Sequence, residues 1–131
     1  MSEQQLDNID CSNIRVFSLD GMTFDAKVVD VYDGDTATLV FKFYDYYKWK
    51  CRLDGIDTPE LKTGNNKEDA VKARNYLRSI ILNKIVKISC GTFDKYGRLL
   101  VRIVHDDIDI NNLLITQGYA KSYSGGTKEQ W

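Results

Sequence analysis

The chain has 131 residues, 43% of them hydrophobic, which suffices for one domain with its own core and excludes a wholly disordered chain. Its formal net charge is −1, so no global positive field gathers nucleic acid, and an anionic substrate has to be held by a local cluster of cations. Cys11, Cys51 and Cys90 match no zinc or redox spacing and read as reduced thiols. With no signal peptide and no run of about 18 apolar residues, the chain reads as an intracellular, cytoplasmic protein without a membrane span.

Residues 1–13 read as a flexible polar tail and residues 14–131 as a single domain. Ile14 to Phe24 alternates weakly around the turn signal Asp20-Gly21 and reads as a short hairpin or the start of a strand. Ala26 to Tyr32 is β-branched and aromatic, Thr36 to Tyr44 alternates cleanly after Asp33-Gly34-Asp35, and Tyr47 to Leu53 places Trp49, Cys51 and Leu53 opposite Lys48, Lys50 and Arg52. Lys67 to Asn83 carries the helical stripe Ala70, Ala73, Leu77 and Ile80 or Ile81, with Lys72, Asn75, Arg78 and Ser79 facing water. Two further strands, Ile85 to Phe93 and Leu99 to Val104, flank Asp94 to Arg98, and a short helix runs from Ile110 to Gln117 between Asp109 and Gly118. The order β-β-β-α-β-β-α predicts a mainly β fold, a five-stranded OB-type Greek-key barrel, and excludes a parallel βαβ sheet.

Arg52 to Glu60, Arg-Leu-Asp-Gly-Ile-Asp-Thr-Pro-Glu, concentrates one cation, three carboxylates and the chain's single proline. Pro59 forbids a helix there, so Asp57 and Glu60 sit on a bend that aims carboxylates and a backbone carbonyl at one point, the oxygen-rich setting that hard cations such as Ca²⁺ select. If the second and third strands pair, Asp35 approaches Asp57. Two carboxylates about 5 Å apart repel by roughly 3 kcal/mol at an effective dielectric of 20, so they need a proton or a cation. Arg52 and Arg98 supply planar guanidinium groups suited to a phosphodiester. His105 reads as a strand-end residue, and Asp54 as structural.

Tyr-Asp-Gly-Asp-Thr at 32–36, the 52–60 string, Asp-Lys-Tyr-Gly-Arg at 94–98 and a final Gln-Gly-Tyr-Ala at 117–120 resemble the staphylococcal nuclease (thermonuclease) family in order and spacing. The resemblance implies an OB fold and a Ca²⁺-dependent phosphodiesterase that cleaves the 5′ P–O bonds of DNA and RNA to leave 3′-phosphates, with single strands preferred. It implies that Asp35, Asp57 and the Thr58 carbonyl hold calcium and that Glu60 orients or deprotonates the attacking water. Arg52 and Arg98 would clamp the phosphate, Lys95 and Tyr96 would touch a neighbouring phosphate, and Tyr119 and Tyr123 would be available for bases. Tyr123 is displaced by one position from the family's stacking tyrosine, the chain is far less basic than the staphylococcal type, and its third helix is short or absent, leaving Trp131 to close the barrel's underside. The expected protein is a monomeric enzyme; the alternatives are a non-catalytic nucleic-acid or protein-binding module of the same fold, and an OB module for a small anion.

Overall fold

The computed structural model describes residues 2–61 and 66–124. The N-terminal segment holds helix α1 (Glu3–Asp7), closed by a capping box between Ser2 and Gln5, and a 3₁₀ turn at Cys11–Asn13; neither buries a residue. Residues 14–19 have no regular structure, so of the two expectations the hairpin does not form and the start of a strand does, at Thr23. Leu19 is fully buried and Gly21, at a φ of 85°, donates its N–H to the Cys90 carbonyl, which aligns the chain for β1 (Thr23–Asp33).

Strands β2 (Thr36–Phe43) and β3 (Asp45–Leu53) complete a three-stranded meander, with Tyr44 alone at the hairpin tip. The two-residue strand β4 (Ile56–Asp57) leads through Pro59 to helix α2 (Lys67–Ile81). Strands β5 (Ile85–Phe93), β6 (Leu99–His105) and β7 (Ile108–Asp109), helix α3 (Ile110–Thr116) and β8 (Lys121–Ser122) follow. The hydrogen-bonded order is β3-β2-β1-β5-β6-β7, and a parallel β3–β6 pairing closes the first five of these into a barrel, which removes their free edges. The OB-type architecture expected from the sequence is therefore present. The pairs β4–β8 and β6–β7 are too short to show a period of two, and strand periodicity does not predict them.

Alternation explains the core. Val28, Val31, Leu39, Phe41, Cys51, Leu53, Ile88, Leu99, Val101 and Ile103 point inward and are almost completely buried. One end is filled by stacked rings, with Phe41 lying between Phe24 at 4.4 Å and Trp49 at 4.9 Å. Trp131, assigned that role from the sequence, lies outside the described residues. Helix α2 lays Ala70, Ala73, Leu77 and Ile81 over β1 as its stripe predicts, but it ends at Ile81, where Leu82 turns extended. Arg78, expected in water, donates Nε to the Val31 carbonyl at 3.0 Å and so ties the helix to a bulged point of β1. Cys51 and Cys90 are buried free thiols, Cys11 an exposed one; burial, with Cys90 nearby, pushes Cys51 up to about 12. His105 ends β6 beside Asp106 and Asp107, whose φ values of 50° and 63° make the tight turn into β7.

Asn111 fixes how the site-bearing loop meets this barrel. Fully buried, it accepts from the Ile103 N–H at 3.0 Å and donates to the carbonyls of Val101 at 3.0 Å and Asp54 at 2.9 Å. One side chain thus joins α3, β6 and the start of the bend. Asn111→Ala leaves the Ile103 N–H and the Asp54 carbonyl without this partner, while the Val101 carbonyl keeps the Asp54 N–H, and should cost about 2 kcal/mol or more, measurable as a lowered denaturant midpoint; a loss below about 1 kcal/mol would contradict this role.

Candidate active site

The chain delivers the site in four pieces to one end of the barrel. The first is the Asp33-Gly34-Asp35 turn between β1 and β2. Asp33 accepts from the Asp35 N–H at 3.1 Å and from the Thr36 hydroxyl, so it shapes the turn that presents Asp35. Gly34 is required for its lack of bulk: a Cβ there would lie 2.8 Å from the Ala73 Cβ and 2.9 Å from the Thr58 Cγ2. The Asp-Gly pair is thus more than a hairpin turn, because it lets Asp35 dock between α2 and the bend.

The second piece is Arg52, opposite Thr36 in the β2–β3 ladder. Its Nη2 lies 3.4 Å from Asp35 Oδ2 and 3.5 Å from Asp57 Oδ1, and all three residues are buried, Asp35 at 6% and Asp57 at 4% exposure. The third piece is the bend itself. The Leu53 N–H donates to the Asp35 carbonyl at 2.8 Å and the Thr58 N–H to Asp35 Oδ2 at 3.1 Å, so the turn and the bend are stitched to each other directly. Pairing of Asp57 with Lys121 across β4–β8 holds the far side. Glu60 lies beyond the buried Pro59, exposed on the wall of a cleft of about 660 Å³ shared with Asp35, Arg52, Thr58, Tyr96 and Arg98.

The fourth piece is the Asp94–Arg98 loop, where sequence reasoning missed the organising residue. Asp94 accepts from the N–H groups of Tyr96 and Arg98, both at 2.9 Å, and pairs with Arg98 Nε at 2.7 Å. Its partial burial works against the charged carboxylate, but those three contacts outweigh it and hold the carboxyl below the usual range. The signal was an Asx turn closed by Gly97 at a φ of 83°. Arg98 and Lys95 each lie 5.2 Å from the Tyr96 ring centre, so this aromatic residue lines them up along the rim.

The two tyrosines near the C-terminus part company. Tyr123 donates its N–H to the Gly55 carbonyl, and its ring lies 5.4 Å from the Arg52 guanidinium, beside the groove that contains Lys95 and Tyr96. Tyr119 stacks on Tyr76 of α2 at 4.4 Å and borders a separate hollow with Pro59 and Lys72, away from the two arginines. Tyr32 and Lys50 also line the cleft and were not singled out from the sequence.

Asp35 and Asp57 both pair with the Arg52 guanidinium, and Asp33 lies beside Asp35. Burial first, then the charge of Asp33, pushes the Asp35 carboxyl up to about 7 against the opposing pull of Arg52 and the Thr58 N–H. The donor set is all oxygen, and among the described residues no group of three or more His, Cys, Asp and Glu side chains is arranged to hold a metal ion by itself. The two buried carboxylates of Asp35 and Asp57 therefore suit a hard cation with an incomplete protein shell, and do not fit a closed structural metal site.

The raised value has a definite sign. An unfolded aspartate titrates near 3.8, so the folded protein holds the Asp35 proton more tightly, and this contribution to stability is full below about pH 4 and lost as pH rises through about 7. In chelator, denaturant midpoints for the wild type should fall relative to Asp35→Asn between those limits. A difference independent of pH would contradict the burial argument.

The chain matches the family of staphylococcal nuclease homologues over residues 50–130. It is 34% identical to an uncharacterized protein of Methanocaldococcus jannaschii, with 74% of this chain and 58% of the relative covered. It is 30% identical to an "uncharacterized endonuclease" of Haemophilus influenzae, covering 74% of this chain and 51% of that protein. A "probable staphylococcal-like nuclease" of Oryza sativa is 34% identical, with 56% of this chain and 18% of the relative covered. The chain thus spans little more than half the length of the first two. No helix among the described residues is long and apolar enough to cross a membrane. With a closed barrel of the expected topology and a family match over more than half its length, the chain belongs to the staphylococcal nuclease homologue family.

Proposed function

We propose that the protein is a Ca²⁺-dependent nuclease that hydrolyses the phosphodiester bonds of DNA and RNA with low sequence specificity. The observation that carries this reading is the gathering of Asp35, Arg52, Thr58, Glu60 and Arg98 around one cleft. A non-catalytic module of this fold needs neither paired buried carboxylates nor a second guanidinium lining the same cleft. Membership of the family and the nuclease names of two relatives support the same reading.

Asp35, Asp57 and the Thr58 carbonyl would hold the cation. When bound, the cation supplies positive charge beside the scissile phosphate and relieves the repulsion between the two carboxylates. Arg52 and Arg98 clamp the non-bridging phosphate oxygens from two sides and meet the negative charge that grows on them during attack. Glu60 orients a water molecule and accepts its proton as the oxygen bonds to phosphorus. The P–O5′ bond breaks, the 5′ oxygen takes up a proton, and the products are a 3′-phosphate and a 5′-hydroxyl. Lys95 and Tyr96 extend the clamp to a neighbouring phosphate, and Tyr123, whose ring lies beside Arg52, would meet a base. Single strands, whose backbone reaches an open cleft readily, are the preferred substrate of this monomeric, intracellular enzyme.

Plasmid and single-stranded DNA incubated with Ca²⁺ should be degraded, and EGTA should stop the reaction. Arg98→Ala and Glu60→Gln should each lower the rate about 100-fold or more, the scale expected for one group aimed at developing charge. Cleavage absent from the wild type, or indifferent to chelator and to both substitutions, contradicts the proposal.

A further inference from the structure

The outer face of β2 and β3 continues the cleft as a cationic strip. In the antiparallel register Thr36 faces Arg52, Thr38 faces Lys50, Val40 faces Lys48 and Lys42 faces Tyr46, so these pairs form successive rows on one side of the ribbon. Their neighbours Ala37, Leu39, Phe41, Cys51 and Leu53 point into the core. Arg52 and Lys50 line the cleft; Lys48, then Lys42 with Tyr46, lead away from it towards the hairpin tip. Lys42, Lys48 and Lys50 are exposed and make no ion pair among the described residues, unlike Lys72, Lys87 and Arg102 elsewhere on the surface. Asp30 and Asp33 border the strip on β1 and confine an anion to the β2–β3 side.

Resting on the nuclease reading above, we propose that this strip is the track along which a single-stranded nucleic acid runs between the cleft and the hairpin tip. Alternate residues of one strand repeat about every 6.6 Å, so Arg52, Lys50 and Lys48 present a linear array of cations to a linear array of phosphates. Tyr46, with 67% of its surface exposed and Lys42 lying 5.9 Å from its ring centre, offers a π-face to an unpaired base. A duplex keeps its bases stacked inside and cannot use that face, which is why the track selects single strands. A chain with a net charge of −1 gains from this local arrangement what its overall charge does not provide.

The test compares Lys42→Ala/Lys48→Ala and Tyr46→Ala with the wild type, none of these residues belonging to the cleft. Fluorescence anisotropy with labelled oligothymidylate of about 16 nucleotides, in EGTA, should show about 10-fold weaker binding for each variant, and the double lysine change should lower the slope of log affinity against log salt by about 1.4. Cleavage of a dinucleotide in Ca²⁺ should be unchanged. Unaltered long-strand binding, equal losses on dinucleotide and long strand, or equal weakening on a duplex overturns the track. Binding to phosphatidylserine vesicles that depends on these residues while oligonucleotide binding does not would also overturn it, in favour of a membrane surface. Wild-type protein that binds the long strand with these dependences but cleaves nothing supports the track and removes the nuclease reading. Cleavage without the dependences removes the track alone.

Discussion

The Arg52 guanidinium, held between the buried carboxylates of Asp35 and Asp57, is the constraint on which the rest of the site depends. Removing one member of such a group leaves an uncompensated buried charge, which commonly costs about 3 to 5 kcal/mol. The surrounding fold keeps the three together. Closure of the barrel by β3–β6 pairing fixes the strand that carries Arg52, Gly34 lets the Asp35 turn approach the bend, and Asn111 pins the start of that bend to β6. Burial, and then the charge of Asp33, raise the proton affinity of Asp35, and the proposed cation would compete with that proton.

Much of this is legible in the sequence because it follows from strand periodicity. Alternation through Thr36 to Phe43 and through Trp49, Cys51 and Leu53 defines the two strands and their inward faces, and their pairing alone brings Asp35 within reach of the Asp57 bend. The helix stripe Ala70, Ala73, Leu77 and Ile81 is equally plain, because a 3.6-residue period sustained over about four turns fits a helix and no strand. Pro59 marks the bend.

Other features are not legible, each for a physical reason. Two-residue strands have no period, so nothing announces that β4 and β8 pair and so bring Tyr123 over Arg52. Resemblance marks Tyr119 for the substrate, yet its place is set by a ring on α2 that no local pattern connects to it. Asp94 looks like any loop acid until three donors close on it. The close approach that demands glycine at position 34 comes from Ala73 and Thr58, both distant in sequence.

Whether a cation completes the Asp35–Arg52–Asp57 group is decided by calorimetric titration of CaCl₂ into the protein near pH 7, in buffers of differing ionisation enthalpy. One binding event that releases protons is expected, because a cation at the site displaces the proton of Asp35, and Asp57→Asn should weaken that binding severely. Absence of binding, or binding that persists in Asp57→Asn and releases no proton, would contradict a cation held between the two carboxylates.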